Sequence, residues 1–395
     1  MNEKTLRKFK MRKLEIKITI LVIIGIIISF LIKGIVKNNL SKNNNGPLVE
    51  AMYYSNLSQN KVQCVLCPKK CMLKDGQKGF CNTRINKGGK LYSLVYGRPA
   101  NPRILSLNKM PLFLAASGYR VLLVSTAGCN MRCKFCIVWQ LSQAKPEEIQ
   151  SDYLTPEDII TQAIENNCNV IVYTSNEPTV FYEYMLDIAK LAREKGIINI
   201  LSTSGYINPE PLRRLCKYMD GVTLGIKSFS DDFYHKYSNG ELGPILESMK
   251  VISEEKVPFE VVYVVIPTLN DDMEQIKRLA IYVKSNSGEE TPFYFYRYKP
   301  SYKLINLPLT PMETLLKAQK VAKEVGLKNV YIHEPNIENP ELDECLYCPK
   351  CNKLLVRRRG GIKILVDNIK NGRCKFCGQE IPVIWWLGRQ EGRNK

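Results

Sequence analysis

Between residue 118 and about residue 335 the sequence alternates short β-branched runs with longer helical patterns, and this alternation restricts the fold more than any other feature. The strand candidates read "YRVLLVSTA", "NVIVYTS", "INILSTS", "GVTLGIK", "PFEVVYVVIP", "PFYFYRY" and "NVYIHE". Between them lie stretches such as "TPEDIITQAIENN" and "FYEYMLDIAKLAREKG", whose apolar residues recur every three or four positions and whose starts carry Thr-Pro or acidic caps. Strand, helix and strand at this spacing imply a parallel sheet covered by helices. Six or seven such units make an α/β chain that suits a full or partial (β/α) barrel better than a flat doubly wound sheet. Such barrels place their chemistry at the C-terminal ends of the strands.

Twelve of the 14 cysteines, counting Cys345 with the last, fall into three tight groups, a pattern of metal ligation in a reducing compartment rather than of disulfides. The middle group, Cys129, Cys133 and Cys136, follows the first strand directly in "STAGCNMRCKFCIVWQ", with Phe135 before the last cysteine. Three thiolates on one short loop suit a single iron–sulfur cluster and leave one iron without a protein ligand. The N-terminal group, "CVLCPKKCMLKDGQKGFC", supplies Cys64, Cys67, Cys71 and Cys81, enough to enclose either a structural zinc or a second cluster. The C-terminal group pairs "CPKC" at Cys348 and Cys351 with "CKFCG" at Cys374 and Cys377 across strand-like "KLLVRRRGGIKILVD", the spacing of a zinc ribbon. Cys345 is spare, and Cys168 and Cys216 read as core residues on helical patterns. With only His235 and His333 in the chain, a histidine ligand cluster or a Ser-His-Asp relay is poorly supported. No catalytic side chains beyond the cluster ligands are expected.

The cysteine spacing of the middle group, the aromatic before its third member and its place after the first strand resemble the radical S-adenosylmethionine superfamily. The resemblance implies a 4Fe-4S cluster whose open iron binds the amino and carboxylate groups of S-adenosylmethionine. It implies too that one electron cleaves the sulfonium to a 5′-deoxyadenosyl radical, which abstracts a hydrogen atom. Asn176, Glu177, Pro178 and Thr179 of "YTSNEPT" stand where the superfamily has a Gly-Gly-Glu-Pro segment that meets the methionine amino group. Lys227 of "TLGIKSFS" sits as in the Asp-Leu-Lys strand of radical activating enzymes, with Gly225 in place of the Asp. It is expected either to pair with the methionine carboxylate or to be an exposed strand-end lysine. Thr203 or Ser204 of "LSTSGY" is the expected ribose or amino-acid contact, Ser204 standing where relatives have Asn.

Residues of about 60 to 387 resemble one branch of that superfamily, the AmmeMemoRadiSam-system radical enzymes, related to pyruvate formate-lyase activating enzymes. The pieces are "CVLCPKKC", "GCNMRCKFC", "NEPTVFYEYMLDIAKLAREKG", "GYINPEPL", "VIPTLND", "YKLINLPLTPMETL" and the ribbon. The chain departs from the branch after Cys136, where Ile137, Val138, Trp139 and Gln140 replace Gln-Asn-Trp-Glu, and at Thr268, which replaces Gly. It departs again at "PFYFYRYKPSYKL", where Tyr294, Tyr296 and Lys299 replace a histidine-bearing strand. Trp139, Tyr294 and Tyr296 are expected either to shape a substrate cavity or to fill core.

The N-terminus carries "ITILVIIGIIISFLI" between Lys17 and Lys33, and flanking lysines extend a usable helix to residues 16–36. About 21 residues at roughly 1.5 Å each would span a hydrocarbon core of about 30 Å, which predicts an uncleaved single-pass anchor, with a cleaved signal as the alternative. Seven Lys/Arg in residues 1–17 against three in 33–50 favour the N-terminus inside and the body outside. Reduced-cluster chemistry favours a cytoplasmic-facing body instead, and that orientation is the one expected. The 57 Lys/Arg and 38 Asp/Glu leave a charge of +19, of which residues 1–46, with ten Lys/Arg and two Glu, hold eight. Such a balance fits an acidic partner or an anionic membrane surface, and most of it is solvated.

The expected organisation is an anchor and linker at 1–46, a four-cysteine metal-binding module at 47–117, the barrel at 118–340 and a ribbon-like module at 341–395. The expected function is a radical enzyme with a low-potential electron donor and a protein substrate, on the pattern of glycyl-radical activation. Two alternatives stand beside it: an RNA-modifying enzyme using Arg357, Arg358 and Arg359 in the ribbon, and a cluster-holding membrane scaffold without catalysis. A nucleic-acid partner is not favoured, since those arginines also suit a solvated loop or pairing with acids.

Overall fold

In the computed structural model, which describes residues 46–106, 120–333, 339–359, 363–370 and 372–381, all seven expected runs are strands of one sheet. Strand β1 (Arg103–Ser106) forms an edge and pairs antiparallel with β2 (Arg120–Val124). Then follow in parallel β3 (Cys168–Tyr173), β4 (Ile198–Thr203), β5 (Gly221–Ile226), β6 (Phe259–Val265), β7 (Phe293–Arg297) and β8 (Val330–His333). The spatial order runs sequentially from β8 to β1, so the sheet is a partial barrel with two edges. The four-residue "RILS" of β1 is too short to show alternation, and it joins the barrel sheet rather than the cysteine module before it.

Six helices make the crossovers: α1 (Pro156–Glu165), α2 (Tyr182–Glu194), α3 (Pro209–Cys216), α4 (Gly243–Glu254), α5 (Met273–Ser287) and α6 (Met312–Glu324). Helix α1 starts as its sequence requires: Pro156 fills the first turn, Thr155 Oγ1 accepts from Asp158 N at 3.2 Å, and the Asp158 carboxylate accepts from Thr155 N at 2.8 Å. Each helix turns its apolar face to the sheet. Phe293 and Phe295 of β7 share one core with Leu279, Ala280, Leu315 and Ala318 of α5 and α6. Because strand side chains alternate, Tyr294 and Tyr296 point to the opposite, concave face.

The flanking modules are antiparallel. In the N-terminal one, Val49–Glu50, Lys90–Ser93 and Arg84–Lys87 form one sheet, and Tyr54–Asn56, Val62–Cys64 and Met72–Leu73 another. A buried ion pair between Arg84 and Glu183 fastens this module to α2. Met52 closes that contact, its N–H donating to Glu183 at 2.8 Å and its carbonyl accepting from Arg84 at 2.8 Å. The C-terminal module pairs Glu344–Tyr347, Leu354–Arg359 and Lys363–Asp367, then Ile369–Lys370 with Arg373–Cys374. Its Leu346 and Val356 pack on Tyr294 and Tyr331. Arg358 Nε donates to Glu344 Oε2 at 2.6 Å, and the same carboxylate accepts from Tyr294 OH at 3.2 Å.

The membrane localisation expected from the N-terminus is corrected: among the described residues no helix is long and apolar enough to cross a membrane. The longest described helix, α5, has 15 residues, about 22 Å of rise against a hydrocarbon core of about 30 Å, and one of its faces is committed to the sheet. The stretch at 16–36 that prompted the expectation of a transmembrane anchor lies outside the described residues.

Candidate functional site

A cavity of about 600 Å³ opens at the C-terminal ends of the parallel strands, where barrel topology places chemistry. It is bordered by Cys129, Cys133 and Cys136 from the loop after β2, Asn176 and Glu177 after β3, Thr203 and Ser204 at β4, and Gly225 and Lys227 at β5. Tyr296, Lys299 and His333 border it from β7 and β8.

The cysteine loop is built rigidly from its own sequence. Gly128 has φ +87°, and a Cβ there would stand 2.5 Å from both the Cys81 carbonyl and the Thr83 Cγ2, so only glycine fits. Arg132 Nη1 donates to the Cys129 carbonyl at 2.6 Å, and its guanidinium stacks on the Phe80 ring at 4.2 Å. The N–H groups of Arg132 and Lys134 donate to the Ser238 and Tyr237 carbonyls, both at 2.8 Å. Cys136 Sγ lies 3.2 Å from Ser142 Oγ, and Met131 N–H donates to Cys129 Sγ at 3.3 Å. Burial pushes the Cys129 thiol well up, reinforced by Cys133 and Glu177. Burial raises Cys133 too, with the Lys227 ammonium opposing it. Three sulfurs bordering one large space, two of them, Cys129 and Cys133, resisting ionisation alone, are the donor set an iron–sulfur cluster satisfies, since its iron supplies the missing positive charge. The residues present fit that group.

Asn176 ties the end of β3 to this loop, its Nδ2 donating to the Gly128 carbonyl at 2.8 Å and its Oδ1 accepting from Thr126 N at 3.4 Å. Glu177 ties β3 to β4. Its Oε1 accepts from Thr203 Oγ1 at 2.5 Å and Thr179 Oγ1 at 2.8 Å, and its Oε2 accepts from Ser204 N at 2.7 Å. Pro178 and Thr179 do not border the cavity; they are buried in the turn Pro178–Phe181 below it. Lys227 Nζ stands 2.7 Å from where a Cβ on Gly225 would be, so the amino group occupies space that an Asp at 225 would claim. The backbone of Lys227 is held by Tyr234 OH at 2.8 Å and Asn270 Nδ2 at 2.7 Å.

Of the three aromatics considered from sequence, only Tyr296 borders the cavity. Tyr294 is one residue pair deeper on the same face and sits under the ribbon, while Trp139 stacks on Tyr302 with ring centres 5.1 Å apart. His333 carries no sequence motif, yet its ring lies 4.8 Å from Tyr296, and its Nδ1 is buried with no hydrogen-bond partner in the protein. Burial, with Arg358 and Lys299 adding, pulls it down to about 4.

The ribbon cysteines gather as their spacing predicts: all four sulfurs lie within 4.8 Å of one another, with Cys348 to Cys377 at 3.6 Å and Cys351 to Cys374 at 3.7 Å. Zn–S bonds of about 2.3 Å in a tetrahedron require sulfurs about 3.8 Å apart, a spacing those two pairs already have, so a single ion fits among them. Cys64, Cys67, Cys71 and Cys81 instead line a separate cavity of about 20 Å³, and burial pushes Cys67 up to about 12. Arg358 and Arg359 are engaged with Glu344 and Asp343, and Arg357 is exposed. Cys168 and Cys216 are buried core residues.

A sequence model described as the Radical SAM superfamily matches residues 123–280. An uncharacterized protein of Methanocaldococcus jannaschii is 40% identical, covering 85% of this chain and 99% of its own length. A pyruvate formate-lyase-activating enzyme of Clostridium pasteurianum is 25% identical over 56% of this chain and 98% of its own. Among solved structures, a domain of a pyruvate-formate lyase-activating enzyme from Bacteroides vulgatus aligns with 41% of this chain and 98% of that one, at 18% identity and a TM-score of 0.37.

Proposed function

This chain belongs to the radical SAM superfamily, and from that premise we propose that it reductively cleaves S-adenosylmethionine and directs the resulting radical to hydrogen abstraction from a protein substrate. The observation that carries the reading is the shared border of one cavity: three cysteines on one side, and Glu177, Thr203, Ser204 and Lys227 on the other. When bound, a 4Fe-4S cluster supplies the electron that breaks the sulfonium bond of S-adenosylmethionine.

The residues of the chain do the rest. Cys129, Cys133 and Cys136 would hold the cluster, three ligands for its four irons. Lys227 offers an ammonium to the methionine carboxylate, a charge-assisted contact that fixes orientation. Glu177 positions rather than binds: both its oxygens are occupied by Thr203, Thr179 and Ser204, so it sets the distance between the β3 and β4 ends where the substrate lies. Asn176 does the same between β3 and the cluster loop. Val262 and Val264 give the β6 side of the cavity an apolar border. The ribbon cysteines hold a structural zinc.

The protein substrate is supported by relatives whose names describe activation of pyruvate formate-lyase and of a glycyl-radical enzyme. An RNA substrate has no comparable support, because two of the three arginines that suggested it, Arg358 and Arg359, serve ion pairs within the ribbon. Electron paramagnetic resonance of the reduced, reconstituted protein tests the reading. Added S-adenosylmethionine is expected to change the wild-type cluster signal, with no such response in Cys133→Ala. An unchanged wild-type signal, with the cluster fully assembled, would overturn it.

A further inference from the structure

We propose that Cys64, Cys67, Cys71 and Cys81 hold a second 4Fe-4S cluster, ligated by all four thiolates, that relays single electrons to the cluster at Cys129, Cys133 and Cys136; the relay rests on the assignment of that open cluster.

The size of the site separates cluster from zinc. At Zn–S of about 2.3 Å, four sulfurs close on the ion and leave no room for a water-sized sphere. The cavity that these four cysteines line, about 20 Å³, has that room. Among the described residues, the ribbon is the one group of metal-ligating atoms drawn within 4.8 Å of one another, so the N-terminal sulfurs stand wider apart. A cubane needs both features, because its irons and sulfides lie between the protein sulfurs.

The surroundings suit a cluster that changes charge. Phe80 N–H donates to Cys71 Sγ at 3.4 Å, Thr83 Oγ1 to Cys81 Sγ at 3.2 Å, and Arg84 Nη1 to Cys64 Sγ at 3.6 Å. Arg84 is 2% exposed, and its Nε has no partner in the protein. A cluster with four thiolates is anionic and gains a further negative charge on reduction, which the guanidinium and the sulfur-directed donors stabilise.

The two sites share a wall. Asn130 lines the N-terminal cavity, while its neighbours Cys129 and Met131 border the large one. Gly128, which precedes Cys129, is so close to the Cys81 carbonyl that no side chain fits between. Cys71 is half-buried and adjoins Met72, which is 71% exposed, so the relay lies near the surface where a donor arrives. One electron from a low-potential flavodoxin- or ferredoxin-class protein reduces the relay cluster from the 2+ to the 1+ state. The same electron then passes to the open cluster, the relay returns to 2+, and no bond forms or breaks.

Metal and sulfide analysis with electron paramagnetic resonance tests this on three reconstituted full-length proteins: wild type, Cys129→Ala/Cys133→Ala/Cys136→Ala, and Cys64→Ala/Cys67→Ala. The expected wild type holds about eight irons, and each variant about four. The signal left in the triple variant is indifferent to S-adenosylmethionine, and that left in the double variant responds. Reduction of the open cluster by a flavodoxin is at least tenfold slower in the double variant. A triple variant with a second zinc and no iron would overturn the proposal while leaving the open site intact. Equal reduction rates would overturn the relay. A wild-type signal indifferent to S-adenosylmethionine would remove the acceptor and overturn both assignments. Should the double variant not fold, a redox titration of wild type decides: two one-electron waves, one shifted by S-adenosylmethionine, are expected, and a single wave with four irons overturns the relay.

Discussion

Glu177→Gln isolates the bridge between β3 and β4 with almost no change in shape. In the native chain Oε1 accepts from two hydroxyls, Thr203 at 2.5 Å and Thr179 at 2.8 Å, while Oε2 accepts from the Ser204 N–H at 2.7 Å. An amide keeps one acceptor. With its oxygen toward the two threonines, its NH2 faces the Ser204 N–H and two donors oppose each other; flipped, it leaves two hydroxyls short. At least one buried donor therefore goes unsatisfied in either orientation, at a cost of about 1–3 kcal/mol. Because Ser204 borders the cavity, its displacement also reaches the substrate site. Urea unfolding of the anaerobically reconstituted protein should show that loss in stability. S-adenosylmethionine affinity, followed by the cluster signal, should fall by about fivefold or more, since about 1.4 kcal/mol is tenfold. A variant that unfolds at the wild-type urea concentration and binds with wild-type affinity would refute the bridge.

Lys227→Met should weaken S-adenosylmethionine binding by about tenfold or more, measured by the same titration, because a hydrogen bond to a charged group contributes about 1.5–3 kcal/mol. Arg358→Met strands the Glu344 carboxylate, 1% exposed, and should cost about 3–5 kcal/mol in urea unfolding; adding Glu344→Leu should recover most of it. His333 has its ionisation lowered from 6.5 to about 4, so the unfolded chain takes up the proton first as pH falls. Stability should therefore be full above pH 6.5 and fall by at most about 1.4 kcal/mol per unit between pH 6.5 and 4, a slope that His333→Gln flattens.

The seven parallel strands were legible because each is a β-branched run long enough to stand out between amphipathic helices, and the ribbon because two CxxC pairs leave few other arrangements. What the sequence did not disclose depends on contacts between distant segments. Tyr294 and Tyr296 look alike two residues apart, and only the docking of Leu346 and Val356 beneath the sheet makes one core and the other cavity wall. Glu177 reads as a ligand-binding residue in "NEPT", and its bonds to Thr203 and Ser204, 26 and 27 residues further along the chain, could not be read from that motif. His333 stands alone at a strand end, and nothing local marks it as facing the cavity. The second cysteine site was visible as four ligands, but the cavity they line also takes in Arg84, Asn130, Thr179 and Val180, which come from segments far from the cysteine motif.

Cleavage of S-adenosylmethionine at this cavity is read out as 5′-deoxyadenosine formed by the anaerobically reconstituted, dithionite-reduced protein. Wild type is expected to produce it from S-adenosylmethionine, and Cys133→Ala, lacking one ligand of the open cluster, is not. A wild-type protein with its cluster assembled and reduced that makes no 5′-deoxyadenosine would contradict it.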